Sequence, residues 1–461
     1  MTTWIDRILA AEQPPSGIRV CVIGTGYVGL TVAAGLAWLG HDVVGADSAA
    51  WKVRQLEAGR VPFLEPGLPK LVSRMQRAER LRFTTDTVAA VADADFVFLC
   101  VPTPQGAGGE ADLHHVLEAA AQVGAALPHG SIVVTKSTVP VGTADMVGQR
   151  LARPDIAVVS NPEFLAEGTA LTDFFRPDRI VIGSRSPDAA AAVGGLYSAL
   201  LSDVITTDVR SAELIKYASN AFLATKLSFV NSISRLCDAT GADIRDVTRG
   251  MGADRRIGNA FLRPGPGWGG SCFPKDTQAL VRIGIDNGVD LGLVRAAIRV
   301  NEVQRTSIVR RVRAAIGVQG TAATVALWGL TYKAGTDDLR DSPAMAIADD
   351  LRRAGVAVRA YDPARSEPVA GLTVCTDRYE ACRGASVLIV ATEWPQFVQS
   401  DFTSVRAAMV GTAVIDTRNI LDPIPVLAAG LDYSGMGIRI PVAAARGPAV
   451  TAARPLAGVP R

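Results

Sequence analysis

The chain has 461 residues, which is more than one hydrophobic core usually supports, so two or three domains are expected. Hydrophobic residues make up 48% and charged residues 20% of the chain, as in ordinary globular proteins. The formal net charge of +2 is evenly spread and too small to indicate a nucleic acid or a membrane surface as a partner.

Membrane, export and metal signals are absent from the sequence. No apolar run reaches the roughly 18 residues of a membrane helix, and residues 1–17 lack the basic start and apolar centre of a signal peptide. The sequence therefore predicts a cytoplasmic protein. Its six cysteines form no CxxC pair or His/Cys cluster, so no metal site is predicted. Cys21 and Cys100 lie in apolar runs, which is typical of core cysteines.

The N-terminal half alternates apolar strands with helices. Strands are predicted over residues 18–23, 42–46, 96–101 and 131–135, and a helix is predicted over residues 30–39. Each strand runs into a polar or glycine-rich turn. This alternation predicts a parallel α/β sheet.

The middle of the chain reads as helical, and the α/β pattern then returns. Apolar residues at spacings of three and four predict a long helix over residues 213–231, followed by a glycine- and proline-rich loop over residues 263–276. Further on, strands are predicted over residues 325–330, 356–360, 387–391 and 413–415, and a helix over residues 343–353.

The predicted fold class is α/β, with two Rossmann-like parallel-sheet domains joined by a helical central domain that contains a long helix. The predicted divisions are an N-terminal extension (1–16), a first Rossmann domain (17–210), a helical central domain (211–318), a second Rossmann-like domain (319–443) and a tail (444–461). The tail is rich in Ala, Pro and Arg without periodicity, which predicts disorder.

A GxGxxG pattern, from Gly24 to Gly29, lies between the first strand and the first helix. Gly24 permits a tight turn, Gly26 lets the backbone approach a pyrophosphate, and Gly29 allows close packing of helix on strand. Asp47 ends the next strand, where it would accept hydrogen bonds from ribose hydroxyls and repel a 2′-phosphate. The pattern predicts NAD rather than NADP, although Lys52 and Arg54 nearby weaken this preference. A glycine turn that binds no dinucleotide is the alternative interpretation.

The second α/β domain lacks such a pattern. Its first strand runs into Thr331, Tyr332 and Lys333, whose bulky side chains would keep a pyrophosphate from approaching the backbone in the same way. A nucleotide held by side chains such as Lys333 is predicted there instead.

Cys272 follows a run of glycines and precedes a helix predicted to start near Pro274, a residue favoured in a first helical turn. A thiol at a helix N-terminus beside Lys275 is expected to have a lowered pKa and to act as a nucleophile. Asp276 would share a helix face with Cys272 and could handle protons or position water. The segment alone equally allows a buried structural cysteine.

Two further polar pairs have helical spacing. Glu163 and Glu167 are four residues apart, as are Lys216 and Asn220. Spacing alone does not distinguish functional pairs from polar residues on solvated helix faces, so both interpretations stay open for each pair.

Seven motifs, taken together and in order, resemble the UDP-glucose/GDP-mannose dehydrogenase family over about residues 18–433. These motifs are residues 24–30, 101–104, 137–140, 161–169, the pair Lys216 and Asn220, residues 267–276 and residues 338–343. The resemblance implies an NAD-dependent, four-electron oxidation of a nucleotide sugar at C6 without release of the aldehyde. Within the family, the sequence of residues 269–276 favours UDP-glucose as the substrate.

The resemblance also assigns the reacting groups. Cys272 is similar to the nucleophile that captures the aldehyde as a thiohemiacetal and then carries a thioester. Lys216 and Asn220 are similar to the groups that stabilise the oxyanion, and Glu163 to a proton donor or acceptor. Asp276 is similar to a group around the reacting carbon and its water, as is Thr138.

The implied binding residues form two sets. The set for NAD comprises Gly24, Gly26, Tyr27, Val28, Gly29, Asp47, Lys52, Thr103, Ser137, Thr138, Glu167, Lys275 and Arg340. The set for the nucleotide sugar comprises Glu163, Phe164, Leu165, Lys216, Asn220, Arg256, Phe261, Arg263, Gly267, Lys333 and Arg418. Arg256 is similar to an arginine that reaches the neighbouring subunit's site, so a homodimer or higher homo-oligomer built on the long helix is implied.

Three alternatives remain open. The same chemistry could act on GDP-mannose or a UDP-N-acetylhexosamine, because the reacting motifs are shared. A two-electron hydroxyacid dehydrogenase would need neither Cys272 nor a third domain. A sugar-nucleotide-binding regulator without catalysis is disfavoured by the intact set of Lys216, Asn220, Cys272 and Asp276.

Overall fold

The computed structural model describes residues 16–317 and 323–439, so the predicted extension (apart from Ser16) and the predicted tail lie outside the described residues. Contacts divide the chain into two compact units. The described part of the first unit comprises residues 16–226, 268–299 and 331–342, and that of the second comprises residues 227–267, 300–317, 323–330 and 343–439.

The first unit contains an eight-stranded sheet. Its strands are β1 (Arg19–Ile23), β2 (Asp42–Ala46), β3 (Leu81–Thr84), β4 (Phe96–Leu99), β5 (Ile132–Thr135), β6 (Ala157–Ser160), β7 (Ile180–Ser184) and β8 (Val204–Thr207). The strand order is β3-β2-β1-β4-β5-β6-β7-β8, and all neighbours are parallel except β6 and β7. The first six positions have the order of a dinucleotide-binding Rossmann sheet.

Along the chain, helices lie between the strands of this sheet, and the long central helix follows the last strand. They are α1 (Tyr27–Trp38), α2 (Ala50–Glu57), α3 (Leu68–Arg77), α4 (Thr87–Val91), α5 (His114–Val123), α6 (Thr143–Leu151), α7 (Ala170–Phe175), α8 (Pro187–Gly195) and α9 (Val209–Thr240). Helix α9 is longer than predicted because apolar residues continue to Leu236 and Cys237. It ends before Gly241, which has a φ of +75°.

The core of the first unit lies on both faces of its sheet. Alternate residues of β1 point to opposite sides, so Val20 and Val22 join one apolar cluster with Leu30, while Cys21 and Ile23 join the other. The buried Cys21 and Cys100 occupy core positions, as predicted.

The second unit contains a six-stranded, entirely parallel sheet. Its strands are β9 (Thr324–Trp328), β10 (Ala357–Tyr361), β11 (Thr373–Val374), β12 (Val387–Val390), β13 (Ala413–Asp416) and β14 (Asp432–Gly435), in the order β11-β10-β9-β12-β13-β14.

The helices that follow α9 along the chain are α10 (Ile244–Gly252), α11 (Phe273–Asp286), α12 (Gly292–Ile316), α13 (Pro343–Arg353), α14 (Arg378–Cys382), α15 (Pro395–Val398), α16 (Phe402–Ala408) and α17 (Pro423–Ala428).

The predicted fold class is confirmed, because along the chain two sheet regions, parallel except for the β6–β7 pair, precede and follow a helical stretch. The antiparallel pairing of β6 and β7 was not predicted. Within the part of the chain that the structure describes, no helix combines the length and the apolar character needed to cross a membrane.

Candidate active site

The glycine pattern lies at the carboxyl end of β1, where the strand order of the first sheet reverses between β1 and β4. Gly24 has a φ of +92°, and a Cβ there would lie 2.7 Å from the Cys100 carbonyl oxygen. A Cβ at Gly29 would lie 1.8 Å from the Gly24 carbonyl oxygen, whereas a Cβ at Gly26 would meet nothing within 4 Å. Gly26 therefore leaves the N-terminus of α1 open to a pyrophosphate.

Asp47 lies directly after β2 and is buried. It accepts hydrogen bonds from Thr25 N and Oγ1, both at 2.9 Å, from Ala49 N at 3.0 Å and from Lys52 Nζ at 2.6 Å. Burial by itself raises the pKa of this carboxyl, but Lys52 and the backbone N–H groups together hold that pKa below its usual value. An ionised acceptor thus lies beside the glycine turn, where ribose hydroxyls need one.

Tyr27 and Val28, the other predicted cofactor residues of the glycine loop, are held by protein contacts. The Tyr27 hydroxyl donates to Asp337 Oδ1 at 2.7 Å, and its ring centroid lies 4.0 Å from that of Phe63. Val28 packs against the core of the first unit. Tyr27 therefore fastens the glycine loop to the segment 331–342.

Thr103, Ser137 and Thr138 meet at the carboxyl ends of β4 and β5. Thr103 Oγ1 donates to Thr138 O at 2.9 Å, and Ser137 Oγ donates to Val101 O at 2.6 Å. These bonds fix the two turns at the same sheet edge as the glycine pattern.

Lys216 on α9 and Glu163 in the loop after β6 form a buried ion pair, with 2.9 Å between Lys216 Nζ and Glu163 Oε1. Glu163 Oε2 also accepts a hydrogen bond from Leu165 N at 2.6 Å. Burial by itself lowers the pKa of the Lys216 ammonium, but Glu163, Cys272 and Asp276 together raise that pKa above its usual value. Lys216 is therefore a cation held out of water.

Asn220 and Asp276 form a second buried pair, one helical turn after Lys216. Asn220 Nδ2 donates to Asp276 Oδ2 at 2.6 Å, and Lys275 Nζ donates to Asp276 Oδ1 at 2.5 Å. Because Lys216, Asn220 and Glu163 are buried and residues 161–168 are not helical, the interpretation of these residues as solvated helix faces is wrong.

Cys272 is the N-cap residue of α11, and its carbonyl oxygen accepts a hydrogen bond from Asp276 N at 2.8 Å. The expected lowering of its pKa is wrong. Burial raises the pKa of the thiol to about 11, Lys216 opposes this rise, and Glu163 and Asp276 add to it. Lys275, which was expected to stabilise the thiolate, is bound to Asp276 instead.

Glu167 hydrogen-bonds both Ser271, which precedes Cys272, and the segment 331–342. Its Oε1 accepts hydrogen bonds from Ser271 Oγ at 3.0 Å and Arg340 Nη2 at 3.3 Å, and its Oε2 accepts one from Thr336 Oγ1 at 3.3 Å. Burial raises the pKa of Glu167 to about 7, and Asp338 adds to the rise. Arg340 Nη2 also donates to Asp338 Oδ2 at 2.8 Å.

Three more predicted substrate residues, Phe164, Leu165 and Lys333, belong to the first unit. The Phe164 ring centroid lies 3.6 Å from the Arg179 guanidinium carbon and 5.4 Å from Lys216 Nζ. Leu165 packs against the core cluster that contains α1 residues, and Lys333 is partly buried. The Phe164 ring is thus within cation–π range of two cations, one of which is Lys216 of the reacting cluster.

The remaining predicted substrate residues belong to the second unit and are Arg256, Phe261, Arg263, Gly267 and Arg418. The Arg256 side chain is 85% exposed, and its guanidinium pairs with Asp254 at 2.7 Å. Phe261 is exposed and has a φ of +60°. Arg418 Nε donates to Ala391 O at 2.9 Å and lies 3.0 Å from Glu393 Oε2.

Sequence reasoning missed four buried residues that shape these loops, which are Glu65, Lys136, Asn161 and Glu213. Lys136 Nζ donates to Asn161 Oδ1 at 3.0 Å, and burial lowers the pKa of Lys136 to about 8. Lys136 carried a signal, because it directly precedes Ser137 at a strand end. Glu65 and Glu213 carried none, since their partners are backbone N–H groups at least 69 positions away.

Three family models match the chain. They describe the NAD binding domain of the UDP-glucose/GDP-mannose dehydrogenase family over residues 18–201, its central domain over residues 210–303 and its UDP binding domain over residues 326–423. The chain belongs to the UDP-glucose/GDP-mannose dehydrogenase family. The resemblance drawn from the motifs is thereby confirmed.

Relatives of this family member span nearly the whole chain. It is 44% identical to the UDP-glucose 6-dehydrogenase of Pseudomonas aeruginosa over 441 residues, covering 91% of this chain and 97% of that protein. A UDP-glucose dehydrogenase structure from Pyrobaculum islandicum matches with a TM-score of 0.85 and 37% identity over 93% of this chain and 99% of that one. A UDP-D-ManNAc dehydrogenase structure from Pyrococcus horikoshii matches with a TM-score of 0.82 and 27% identity over 92% of this chain and 100% of that one.

As a member of this family, the chain is an NAD-dependent oxidoreductase, and the predicted cofactor is confirmed. The residues present fit the dinucleotide. Gly26 leaves room for the pyrophosphate, and Asp47 supplies a carboxylate at the end of β2.

Proposed function

We propose that the chain oxidises the C6 alcohol of UDP-glucose to the carboxylate of UDP-glucuronate through a covalent adduct on Cys272. The observation that carries this proposal is the cluster of the first unit that contains the buried Lys216–Glu163 ion pair at 2.9 Å and the buried Asn220–Asp276 hydrogen bond at 2.6 Å. In this cluster Asp276 N donates to the Cys272 carbonyl oxygen at 2.8 Å. An alcohol can be oxidised to an aldehyde without a thiol. Oxidation of an aldehyde to an acid without its release needs a nucleophile, and a thiol gives a reactive thioester.

In the first oxidation the C6 hydroxyl loses a proton, which Glu163 is proposed to accept and pass to solvent, and the C6 carbon loses a hydride. The Lys216 ammonium and the Asn220 amide are the donors proposed to stabilise the developing alkoxide, because both are buried and preorganised by α9. When bound, NAD supplies the hydride acceptor for each of the two oxidations.

In the second stage the Cys272 sulfur bonds to the aldehyde carbon, and the aldehyde oxygen takes a proton. Since burial raises the pKa of the Cys272 thiol to about 11, the resting thiol is protonated and must give up its proton as the bond forms. Glu163 is proposed to accept this proton and to return it to the aldehyde oxygen. Loss of the second hydride from C6 and transfer of the hydroxyl proton to Glu163 then turn the thiohemiacetal into a thioester.

Hydrolysis completes the reaction. A water oxygen bonds to C6, the carbon–sulfur bond breaks, and the released thiolate takes back a proton. Asp276 is proposed to orient this water, because Asn220 and Lys275 fix its carboxylate in a fully buried position. Thr138, at the turn after β5, is proposed to lie beside the same carbon.

UDP-glucose is the proposed substrate because the Pseudomonas aeruginosa relative, at 44% identity, is named for it, whereas the UDP-D-ManNAc dehydrogenase structure is 27% identical. GDP-mannose and UDP-N-acetylhexosamines remain the competing substrates. The residues proposed to hold the nucleotide sugar, in addition to the reacting groups, are Phe164, Leu165, Arg256, Phe261, Arg263, Gly267, Lys333 and Arg418.

The deciding experiment is the amount of NADH formed per nucleotide sugar, with UDP-glucose, GDP-mannose and UDP-N-acetylglucosamine each run to completion. Two NADH per UDP-glucose, with little from the other two, is the expected result. One NADH per UDP-glucose would contradict the covalent four-electron route, and turnover of another sugar alone would contradict the substrate.

A homodimer built on α9 is part of the proposal. Phe222, Phe229 and Leu236 recur every seven residues on this helix, and they are 64%, 49% and 56% exposed. Seven-residue spacing places them in one stripe, and an exposed apolar stripe of this kind favours a partner surface. A second copy would also bring the exposed Arg256 to a neighbouring site.

A cytoplasmic location also belongs to the proposal. The proposed mechanism needs Cys272 as a free thiol, and all six cysteines of the chain are free. A reducing compartment preserves this state.

A further inference from the structure

Glu65, in the segment between α2 and α3, accepts hydrogen bonds from the backbone of a loop that is distant in sequence. Its Oε2 accepts a hydrogen bond from Gly168 N at 2.6 Å, and its Oε1 accepts one from Ala170 N at 2.9 Å. The side chain is 2% exposed, so water does not compete for these bonds. Gly168 has a φ of +81°, a conformation that favours glycine.

Glu213, near the start of α9, repeats the same geometry on another loop. Its Oε2 accepts a hydrogen bond from Gly142 N at 2.6 Å, and its Oε1 accepts one from Ala144 N at 2.9 Å. This side chain is also 2% exposed, and Gly142 has a φ of +97°. In both places one carboxylate binds a left-handed glycine and the residue two positions later.

Each glutamate also caps the N-terminus of the helix that follows the loop it binds. The N-cap residues Thr169 of α7 and Gly142 of α6 make no side-chain capping bond of their own. A carboxylate at a helix N-terminus satisfies unpaired N–H groups and interacts favourably with the helix dipole. Because the cap comes from another element, it also fixes the loop before the helix relative to that element.

The loops held in this way carry proposed reacting groups. The loop before α7 contains Glu163 and Glu167, and the loop before α6 contains Ser137 and Thr138. Lys216 follows Glu213 by three residues on α9, so one helix presents the Lys216 ammonium and also holds the loop of Thr138.

We propose that Glu65 and Glu213 are positioning residues: Glu65 fixes the loop of Glu163 and Glu167, and Glu213 fixes the loop of Ser137 and Thr138. The predicted effect on turnover rests on the proposed function, whereas the predicted effect on the loops does not. The competing explanation is that each glutamate only stabilises its helix.

The loop contacts are tested first, by amide hydrogen exchange in Glu65→Gln and Glu213→Gln. Glutamine has nearly the same size but a single acceptor oxygen, so one of the two N–H groups loses its partner. Exchange of either the Gly168 or the Ala170 amide, whichever loses its acceptor, should rise about tenfold or more in Glu65→Gln, while Gly142 and Ala144 stay protected. Glu213→Gln should show the reverse pattern, and unchanged local exchange in both variants would overturn the proposal.

Kinetics then separate positioning from stabilisation. Displacement of a reacting group by about 1 Å can lower the rate on the order of 100-fold, so kcat should fall about 10- to 100-fold in both variants. Glu65→Gln should also raise KM for UDP-glucose, because Phe164 and Leu165 follow Glu163 in the gripped loop. Glu213→Gln should leave this KM within about threefold, since Ser137 and Thr138 of that loop are proposed to contact NAD and the reacting carbon but not to hold the nucleotide part of the substrate.

Asp401→Asn is the matched control. Asp401 caps α16 by accepting a hydrogen bond from Thr403 N at 3.0 Å, in the second unit. Its change should lower the melting temperature without changing kcat. Raised local exchange with unchanged kcat and KM in the two glutamine variants would overturn the positioning role.

Two further measurements cover the cases in which a glutamine variant does not fold or the native protein shows no turnover. If a glutamine variant does not fold, the aspartate variant is measured in the same way, because aspartate keeps both oxygens but shortens the reach by one methylene. If the native protein turns over no nucleotide sugar, the proposed function fails and NAD titration decides instead. Glu213→Gln should then weaken NAD binding about tenfold through Ser137 and Thr138, and unchanged affinity would overturn the proposal.

Discussion

Lys216 and Glu163 face each other at 2.9 Å in a part of the protein that excludes water. Removing two charges from water is costly, and their mutual attraction offsets this cost only while both are present. The pair therefore keeps a cation beside Cys272 without leaving a single buried charge. Glu163 is held further by the N–H group of Leu165.

Removal of one partner should destabilise the fold more than removal of both. Lys216→Met leaves a buried carboxylate and should lower the free energy of unfolding by about 3–5 kcal/mol. The double variant Lys216→Met/Glu163→Gln should lose less, because no charge remains unpaired. Urea unfolding of the two single variants and the double variant measures the difference, and a double variant less stable than both single variants would contradict the pairing.

The raised pKa of Cys272 has a direct chemical consequence. Because burial raises this pKa to about 11, the thiolate fraction of the free enzyme is small near neutral pH and grows as pH rises. Alkylation of Cys272 by iodoacetamide should therefore accelerate about tenfold per pH unit between pH 7 and 10. Mass spectrometry of the Cys272 peptide measures the rate.

The other cysteines provide the background for this measurement. All of them are buried, namely Cys21, Cys100, Cys237, Cys375 and Cys382, so Cys272→Ala should show little alkylation over the same time. A rate that is flat above pH 7 would mean that the thiolate already dominates there, and the assigned pKa would then be wrong.

At the scale of elements, two glycines at the start of α1 are needed for different reasons: Gly29 for folding and Gly26 for ligand binding. A Cβ at Gly29 would overlap the Gly24 carbonyl oxygen, at 1.8 Å, whereas a Cβ at Gly26 would meet no protein atom within 4 Å. Gly26 has a φ of −75°, which alanine adopts readily. The two positions therefore differ in the reason for which they need glycine.

Gly26→Ala should fold normally but bind NAD at least about tenfold more weakly, because the added methyl group occupies the space of the pyrophosphate. Gly29→Ala should lose several degrees in melting temperature as helix and turn are forced apart. Thermal unfolding and NAD titration of the two variants test both statements. Normal NAD affinity of Gly26→Ala would place the pyrophosphate elsewhere.

The apolar stripe of α9 gives a prediction on assembly. Phe229→Glu puts a charge among exposed apolar side chains and should convert the proposed dimer into a monomer. Light scattering after size-exclusion chromatography measures the mass. Val410→Glu, at a position that is 66% exposed in the second unit, is the control and should leave the mass unchanged.

Local patterns allowed many elements to be predicted from sequence. The strand over residues 42–46 and the helix over residues 343–353 have the predicted bounds, because apolar periodicity and turn residues act over a few positions. The Cys272 environment was predicted wrongly, since the local sequence shows a helix N-terminus and a lysine but not the burial that raises the pKa. Burial depends on residues far away in the chain.

At the scale of the whole molecule, the two sheets share one strand order over six strands but differ at the first turn. Gly24 and Gly329 both follow the first strand of their sheet, but two positions later the first sheet has the open Gly26 and the second has the buried Thr331. Only the first sheet therefore has the open glycine turn. The sequence predicted this difference because glycine spacing is local, but it gave no signal for Glu65 and Glu213, whose partners come from other elements.

The segment 331–342 completes the first unit from far along the chain. Tyr27 bonds Asp337 across 310 positions, and Glu167 bonds Arg340 across 173. During synthesis at about 5–20 residues per second, on the order of tens of seconds separate the emergence of the glycine loop and of its partner. A nascent chain that ends before Thr331 would carry all eight strands of the first sheet without these two bonds. Chaperones would have that interval in which to bind the open loops.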